Sequence, residues 1–456
     1  MNNKKSLKLI ILFFVLSTKY IFSIADWTML VYVQAKNNLN RFATQNLHAM
    51  SKIGSNKNLN ILVQWYQPGK EGIWRYKILP NKIELDSYIP TKSDGSNTKD
   101  LVDSMRWAIS KYPAKNNCLT LWNHGVGILD PIWKRKIGFN GKTKESFYSD
   151  PINKENSNEE NSNLEIKIDG ILTEDFSFTQ DFDPSSLQHR GILFNEHTRT
   201  YLTNQELVEA LKQIKINVLK NKKLDILGMD ACLMAMTEIG YQTKEYAKYM
   251  VGSQEVELAY GWNYTSLFRS ISKGETTPIE LAKGIVRTYE QFYKNRIRFY
   301  TQSAIDLNQM KNIKESINDI VIKINECKKF NHKIIKNYIR NARDNSLQFS
   351  TKSYIDLYSF YSQLSNKLNN HLKNKLNFNK PNKRNFSNKI KELLTSVQTG
   401  MKLIETAVIA KTAGPNLATA KGLSIYFPKG RIDPSYFKTS FAKETLWLDL
   451  ISNVYR

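Results

Sequence analysis

The sequence predicts an α/β fold in which a mostly parallel sheet is covered by helices on both faces. Short, nearly continuous apolar segments alternate with amphipathic segments of helical spacing, and this order recurs four times before Cys232. Such apolar strands are typical of parallel sheets that are buried on both faces. The chain has 456 residues and an apolar fraction of 41%, which is enough for two domains with a proper core.

The four units follow one another along the first half of the chain. They contain "WTMLVYVQAKNNLNRF", "NLNILVQWYQ", "TKDLVDSMRWAISKYPAKNNCLTLWNHG" and "TNQELVEALKQIKINVLKNKKLDILGMDAC". In the last unit, Thr203 and Glu206 have the spacing of a helix capping box. Ligands of open α/β sheets gather at the carboxyl ends of the strands, and "NHG" and "DAC" both occupy that position.

The remaining segments divide the chain into further parts. Residues 133–190 are polar and rich in Asn, Ser and Glu, which predicts a long exposed insertion. Residues 307–456 are basic and mostly helical, with a strand-like "GLSIYFP" and a final amphipathic piece that ends near Trp447. We therefore predict an N-terminal segment 1–25, an α/β domain 26–306 and a helical domain 307–456.

The N-terminal segment has the pattern of a signal peptide. Three lysines, Lys4, Lys5 and Lys8, precede an apolar stretch, and Ser23 and Ala25 have the small-residue spacing of a cleavage site. The apolar stretch is far shorter than the ~20 residues of a membrane span. The sequence thus predicts an exported protein, secreted or periplasmic, without stable membrane insertion.

The net charge is strongly positive. It is +24 for the whole chain and falls to +20 when the four lysines of residues 1–25 are removed, because that segment has no acidic residue. The lysines are mixed with Asn and Ile along the chain rather than gathered beside aromatic residues. We therefore expect no specific nucleic-acid partner and interpret the charge mainly as compositional bias, with attraction to anionic surfaces as the alternative.

The three cysteines are Cys118, Cys232 and Cys327. An odd number leaves at least one thiol without an intramolecular partner, even in an exported protein. A bridge between Cys118 and Cys327 and a pair of buried free cysteines both fit the sequence.

Cys232 and His124 form a candidate catalytic pair. Cys232 follows a predicted strand and stands at the predicted first turn of a helix, "CLMAMTEIGYQTKEYAKYM", where backbone N–H groups would stabilise a thiolate. His124 lies at the matching end of another strand, and the small residues Gly125 and Ala231 leave room for a substrate backbone. A nucleophile, a proton carrier and N–H donors are the minimum for acyl transfer. Taken singly, a Cys or a His is more often structural.

Asp230 lies two residues before Cys232. A carboxylate beside a catalytic thiol would raise the pKa of the thiol, so Asp230 is better placed in a pocket for a cationic side chain. The alternative is a helix N-cap, for which Asp is favoured. A metal site is not predicted, because the other histidines form no ligand-spaced cluster with cysteine; they are His48, His189, His197, His332 and His371.

The chain resembles the clostripain family of cysteine peptidases, relatives of caspases, legumains and gingipains. The blocks that carry the resemblance run from "WTMLVYVQAKNNLN" through "LTLWNHGVG", "RTYLTNQELVEAL", "LDILGMDACLMAMTEIGYQ" and "VGSQEVELAYGWNY" to "GLSIYFP" and "FAKETLWLDL". They cover nearly the whole chain after the N-terminal segment.

The resemblance implies a caspase-like α/β/α sandwich with a catalytic dyad of His124 and Cys232. It implies an oxyanion hole formed by the N–H groups of Gly125 and Cys232, and recognition of Arg or Lys before the scissile bond by Asp230. Three further residues in "VGSQEVELAYGWNY" are assigned to substrate binding; they are Ser253, Glu255 and Glu257. For the two glutamates, a solvated carboxylate is expected in preference to one that points into the cleft.

Self-cleavage between the His and Cys blocks is common in this family, and some members respond to calcium. The insertion offers basic cleavage sites at Lys134, Arg135, Lys136, Lys142, Lys144, Lys154, Lys167 and Arg190. Lys36 in "VYVQAKNNL" stands where the family usually has an acidic residue, which weakens an expectation of calcium activation. The chemistry itself is expected to need no cofactor.

The sequence therefore favours an exported cysteine endopeptidase that acts on proteins or peptides after Arg or Lys. Two alternatives remain at this stage. One is a cysteine peptidase with a different first pocket, and the other is a non-catalytic secreted binding protein on a peptidase scaffold. The sequence does not predict an oligomeric state.

Overall fold

The computed structural model describes residues 24–131, 191–373 and 381–455. Its centre is a nine-stranded sheet. In chain order the strands of this sheet are β1 (Ala25–Gln34), β2 (Leu59–Tyr66), β3 (Ile73–Leu79), β4 (Lys82–Ile89), β5 (Ala114–Trp122), β8 (Leu224–Asp230), β9 (Ala247–Gly252), β10 (Thr301–Asp306) and β12 (Val408–Ala413). Two small sheets contain β6 (Ile192–Asn195) with β7 (Thr200–Leu202), and β11 (Tyr354–Asp356) with β13 (Ser424–Tyr426).

The middle of the large sheet is parallel. The spatial order is β12-β10-β9-β8-β5-β1-β2-β3-β4, and the neighbours from β9 through β8, β5 and β1 to β2 all pair in parallel. The strands added at each side, β3 with β4 and β10 with β12, pair antiparallel. This mostly parallel sheet confirms the predicted fold class.

Helices cover both faces of the sheet. They are α1 (Asn40–Ser51), α2 (Thr98–Lys111), α3 (Asn204–Gln213), α4 (Thr237–Thr243), α5 (Tyr264–Ile271), α6 (Pro278–Tyr293), α7 (Met310–Asp344), α8 (Leu357–Lys373), α9 (Pro381–Ala407), α10 (Ser440–Glu444) and α11 (Trp447–Val454). Successive residues of β1 alternate between two cores. Met29 and Val31 pack in a cluster with residues of α1, α5 and α6, whereas Leu30 and Tyr32 pack in a cluster with residues of α2, α3 and α4. The result is the expected α/β/α layering.

The C-terminal part of the chain is both helical and continuous with the sheet. The long helices α7, α8 and α9 pack against one another, and their apolar faces join the same core as α2 and α3. Strand β12, which follows α9, pairs with β10 at the edge of the large sheet. The division at residues 306 and 307 remains a prediction, because nothing observed tests whether the two parts fold separately.

Two details of the predicted elements are wrong. The helix expected to run from Cys232 to Met250 is only α4, and Met250 lies in the buried strand β9. The backbone at Leu233 has φ of +64° and that at Met236 is extended, so no helix can pass through them. The final amphipathic piece does not end near Trp447, because α11 begins there and continues to Val454. The predicted capping box of Thr203 and Glu206 is confirmed at the start of α3.

Candidate active site

The "NHG" and "DAC" motifs lie side by side at one edge of the sheet. Strands β5 and β8 pair in parallel with Trp122 opposite Asp230, so the residues that follow each strand emerge together. The N–H of Asn123 donates to the carbonyl of Asp230 at 3.3 Å, which extends the pairing by one residue. His124 and Cys232 follow immediately, and both are 7% exposed.

Gly125 packs directly on the backbone of Cys232. A Cβ atom on Gly125 would lie 2.4 Å from the carbonyl oxygen of Cys232 and 3.1 Å from its nitrogen. Such distances are well below ordinary van der Waals contact. Glycine is therefore required here by the close approach of two chain segments, and not by its own backbone conformation.

Cys232 lies in a tight turn and not at a helix N-terminus. The turn is held by the segment after β9, because Leu233 N–H donates to the Glu255 carbonyl at 3.1 Å and Ala235 N–H to the Ser253 carbonyl at 2.9 Å. Helix α4 begins only at Thr237. The expected stabilisation of the thiolate by the first turn of a helix is therefore wrong.

The thiol of Cys232 is held in a buried environment. The Glu257 N–H donates to its Sγ at 3.2 Å, and the Glu257 carbonyl lies 3.5 Å away as an acceptor for the S–H. Burial raises the pKa of Cys232 to about 12, although backbone hydrogen bonds from Glu257 and Gly125 oppose this shift. At neutral pH the resting group is a thiol, so a base is needed to make it nucleophilic.

His124 is in contact with a residue that the sequence reasoning did not identify. The Oδ1 atom of Asn38 lies 2.9 Å from Nε2 of His124. Asn38 belongs to the loop between β1 and α1, and β1 is the parallel neighbour of β5. The available signal was the polar "KNNL" turn after the first strand, which comes to the same sheet edge as "NHG".

Asp230, the last residue of β8, is buried beneath the turn and caps no helix. Its Oδ2 atom accepts hydrogen bonds from the Tyr264 hydroxyl at 2.7 Å and from the Trp262 N–H at 3.3 Å. A Cβ on Gly261, whose φ is +61°, would lie 2.6 Å from Oδ1. Burial raises the pKa of Asp230 to about 7. The N-cap alternative for this residue is wrong.

Glu257 provides a second buried carboxyl group near Asp230. Gln302 Nε2 donates to its Oε1 at 2.9 Å, while its buried Oε2 has no hydrogen-bond partner among the described residues. Burial raises the pKa of Glu257 well above its ordinary value, and the charge of Asp230 raises it further. Of these two acids, Asp230 ionises first and Glu257 keeps its proton, because two adjacent buried negative charges repel each other.

The other two substrate-binding candidates lie in the segment that supports the turn. The Glu255 carboxylate accepts the N–H of Val256 at 2.7 Å and that of Ser350 at 3.1 Å. The Ser253 hydroxyl lies 2.8 Å from that of Thr301. Glu255 and Glu257 are 4% and 7% exposed, so the expectation of solvated carboxylates is wrong. The assignment of Ser253, Glu255 and Glu257 to substrate binding remains a prediction.

The cysteines are all free and buried. Cys118 lies in β5 and Cys327 in α7, and the bridge considered between them is not formed. Burial raises the pKa of each to about 12. Both behave as small apolar core residues.

Several sequence expectations concern segments outside the described residues. Residues 1–23 of the predicted signal peptide and residues 132–190, which hold the predicted insertion, belong to this group. Within the described ranges, no helix has the length and apolar character needed to cross a membrane. In the same ranges, His, Cys, Asp and Glu side chains form no group of three or more that could hold a metal ion. The expectation that catalysis needs no cofactor remains untested.

Comparisons with known proteins identify the family and the fold of the chain. The model of the clostripain family matches residues 31–161 and 178–453. A search of curated proteins found no match. Among solved structures, a secreted C11 cysteine protease from Bacteroides thetaiotaomicron in complex with an irreversible peptide inhibitor is similar at a TM-score of 0.57 and 15% identity, covering 93% of this chain and 99% of that one.

A second solved structure gives the same result. It is an inactive zymogen C11 protease from Parabacteroides distasonis, with a TM-score of 0.56 and 16% identity, and the match covers 92% of this chain and 98% of that one. At these sequence identities the two solved structures establish only the shared fold. The match to the family model establishes that the chain is a member of the family. The chain belongs to the clostripain family and is a cysteine-type peptidase.

Proposed function

We propose that this peptidase is an exported endopeptidase that cleaves after Arg or Lys, with Cys232 as nucleophile and His124 as proton carrier. The observation that carries the proposal is the junction of β5 and β8. It brings His124, Gly125 and Cys232 to one edge of the sheet, where β8 ends at the buried Asp230.

Because Cys232 is a thiol at rest, its proton must be transferred to His124 during the attack on the substrate. As Cys232 Sγ bonds to the substrate carbonyl carbon, its proton passes to His124 and the carbonyl oxygen becomes an oxyanion. The C–N bond then breaks and His124 returns the proton to the leaving amine. Water attacks the acyl-enzyme with His124 as base, which releases the acid and restores the thiol.

The oxyanion hole is assigned to the N–H groups of Gly125 and Cys232. Two features support this assignment. The backbone N–H of Gly125 is close enough to Cys232 to oppose the rise in the pKa of its thiol, and the Gly125 backbone lies against that of the nucleophile. Donors fixed in this way need no rearrangement when the oxyanion forms.

The preference for Arg or Lys rests on Asp230 and Glu257. A cationic side chain would pair with the Asp230 carboxylate and lie beside the carboxyl group of Glu257, whose buried Oε2 has no hydrogen-bond partner among the described residues. Removing a buried charge from its partner is costly, so such a pocket rejects neutral side chains. Export rests on the signal-peptide pattern of residues 1–25, and self-cleavage on the basic residues of segment 133–190.

The test is hydrolysis of fluorogenic peptides that end in Arg, Lys, Asp or Asn, with calcium added or chelated. Cys232→Ala should abolish cleavage after Arg and Lys, whereas Cys327→Ala, which removes an equally buried free cysteine in α7, should retain it. Cleavage only after Asp or Asn would keep the nucleophile and reject the pocket. Activity that survives in Cys232→Ala would reject the proposed dyad.

A further inference from the structure

The loop that carries Asn38 and the loop that carries His124 are anchored to the same backbone group. The side-chain Nδ2 of Asn37 donates to the Phe194 carbonyl at 2.9 Å, and the Nδ2 of Asn123 donates to the same carbonyl at 3.1 Å. Asn37 immediately precedes Asn38, and Asn123 immediately precedes His124. The β6 strand therefore fixes the separation of the two loops.

Further hydrogen bonds make this anchoring rigid. The Phe194 N–H donates to Asn123 Oδ1 at 2.7 Å, and Asn123 Nδ2 also donates to the Gln34 carbonyl at the end of β1. On the other loop, Leu39 N–H donates to Asn37 Oδ1 at 2.9 Å, which closes a local turn around Asn38. Asn38 itself is exposed, so its side chain contributes little to the core.

The chemistry of the contact between Asn38 and His124 selects a tautomer. An amide oxygen only accepts hydrogen bonds, so Nε2 of His124 must carry the proton when it lies 2.9 Å from Asn38 Oδ1. In the neutral imidazole the lone pair is then on Nδ1. Since Cys232 is a buried thiol, it needs a neutral imidazole whose lone pair is on one defined nitrogen.

We infer that Asn38 is a positioning residue for the reaction: it holds His124 with Nε2 protonated, and Nδ1 exchanges the proton with Cys232. This inference rests on the proposed role of His124. The Phe194 carbonyl, through Asn37 and Asn123, keeps Asn38 within reach of the ring.

The experiment compares Asn38→Ala and Asn38→Asp in the full chain, with kcat and KM measured from pH 5 to 9 on an Arg peptide. Asn38→Ala should lower kcat by about 10-fold or more, with little change in KM and in melting temperature, because the ring loses its orientation. Asn38→Asp keeps an acceptor for Nε2–H and should retain more activity than Asn38→Ala at alkaline pH. Its carboxylate should also move the acid limb of kcat/KM upward by about 0.5 to 1 pH unit, because it favours the imidazolium.

A control and a spectroscopic readout separate positioning from folding. Asn366→Ala, at an exposed position of α8, should leave kcat and its pH dependence unchanged. Long-range ¹⁵N–¹H correlations of the His124 ring should show the Nε2–H tautomer in the native chain and a mixture in Asn38→Ala. Unchanged kcat in Asn38→Ala, or equal losses in both Asn38 variants with no shift of the acid limb, would overturn the inference. Retained activity in Cys232→Ala would instead reject the dyad on which it rests.

Discussion

Gly125 lies against the carbonyl oxygen of Cys232, and it can do so because glycine has no side chain. An ideal Cβ atom on Gly125 would lie only 2.4 Å from that oxygen. The contacting atom belongs to the backbone, so it cannot rotate away as a flexible side chain could. Any substituent at residue 125 must therefore push the nucleophile turn away from β5.

We predict that Gly125→Ala lowers kcat/KM by about 100-fold or more, because a displacement of the nucleophile by about 1 Å is enough for such a loss. The chain should also lose about 1 to 3 kcal/mol of unfolding free energy from overpacking. Gly430→Ala is the matched control, since a Cβ at residue 430 would meet no atom within 4 Å. Equal kinetics in the two variants would show that the contact does not position Cys232.

Asp230→Asn tests the charge of the proposed pocket without changing the size of the side chain. We expect kcat/KM for Arg and Lys peptides to fall by about 30-fold or more, because the cation loses its buried partner. Asp225→Asn is the control, since Asp225 lies on the same strand but pairs with Lys248 at 2.7 Å. If Asp225→Asn changes the ratio of Arg to Asn cleavage as much as Asp230→Asn, the pocket assignment is wrong.

The pKa of Asp230, raised by burial to about 7, predicts a pH dependence of binding. A carboxyl group is charged above its pKa, so the pocket carries a negative charge above about pH 7 and loses it below. The KM for an Arg peptide should therefore rise as the pH falls from 8 to 6, while the KM for any cleaved neutral peptide should stay flat. In Glu257→Gln the same rise is expected, because the pocket charge that titrates over this range is that of Asp230. A KM that is independent of pH would contradict the assignment.

Much of the sheet and the convergence of its strand ends could be predicted from the sequence. Apolar runs such as "LDILGMD" are typical of strands that are buried on both faces. Parallel strands then bring their carboxyl ends to one edge of the sheet. The turn at Cys232 was missed, because "CLMAMTEIGYQ" consists of good helix formers while tertiary contacts fix Leu233 at positive φ. Local propensity cannot reveal that the segment after β9 hydrogen bonds to this turn.

The supporting residues of the site were harder to predict for a related reason. Asn38 contacts a residue 86 positions later in the chain, and its neighbours in sequence indicate only a turn. Glu255 and Glu257 stand in a polar segment that is typical of exposed loops, yet both are buried by partners distant in sequence. Burial of a charged side chain depends on such distant partners, and a single sequence does not contain that information.

Glu238 is a buried acid close to the nucleophile turn, at the start of α4. Its Oε1 accepts the N–H of Tyr426 at 2.9 Å and the hydroxyl of Tyr436 at 3.2 Å, so it connects α4 to β13 and to the C-terminal segment. The neighbouring Thr237 hydroxyl donates to the Ser424 carbonyl at 2.9 Å. Burial raises the pKa of Glu238 from 4.5 to about 7.

This shift should make stability fall as the pH rises. Between pH 4.5 and 7 the unfolded chain loses the Glu238 proton while the folded chain keeps it, so ionisation favours the unfolded state. The difference amounts to about 3 kcal/mol, from ~1.36 kcal/mol per pKa unit. Below pH 4.5 both states are protonated and the effect vanishes.

We predict that Glu238→Gln removes this part of the pH dependence. The free energy of unfolding by denaturant should be measured at pH 5 and pH 7 in a Cys232→Ala background, which prevents self-digestion. Relative to its parent, Glu238→Gln should gain stability from pH 5 to pH 7, because the amide cannot ionise and still accepts the Tyr426 N–H. Glu245→Gln, at an exposed position just after α4, should change little between the two pH values. If the difference in unfolding free energy between Glu238→Gln and its parent is the same at pH 5 and at pH 7, Glu238 is ionised at pH 5 in the folded chain as it is in the unfolded chain.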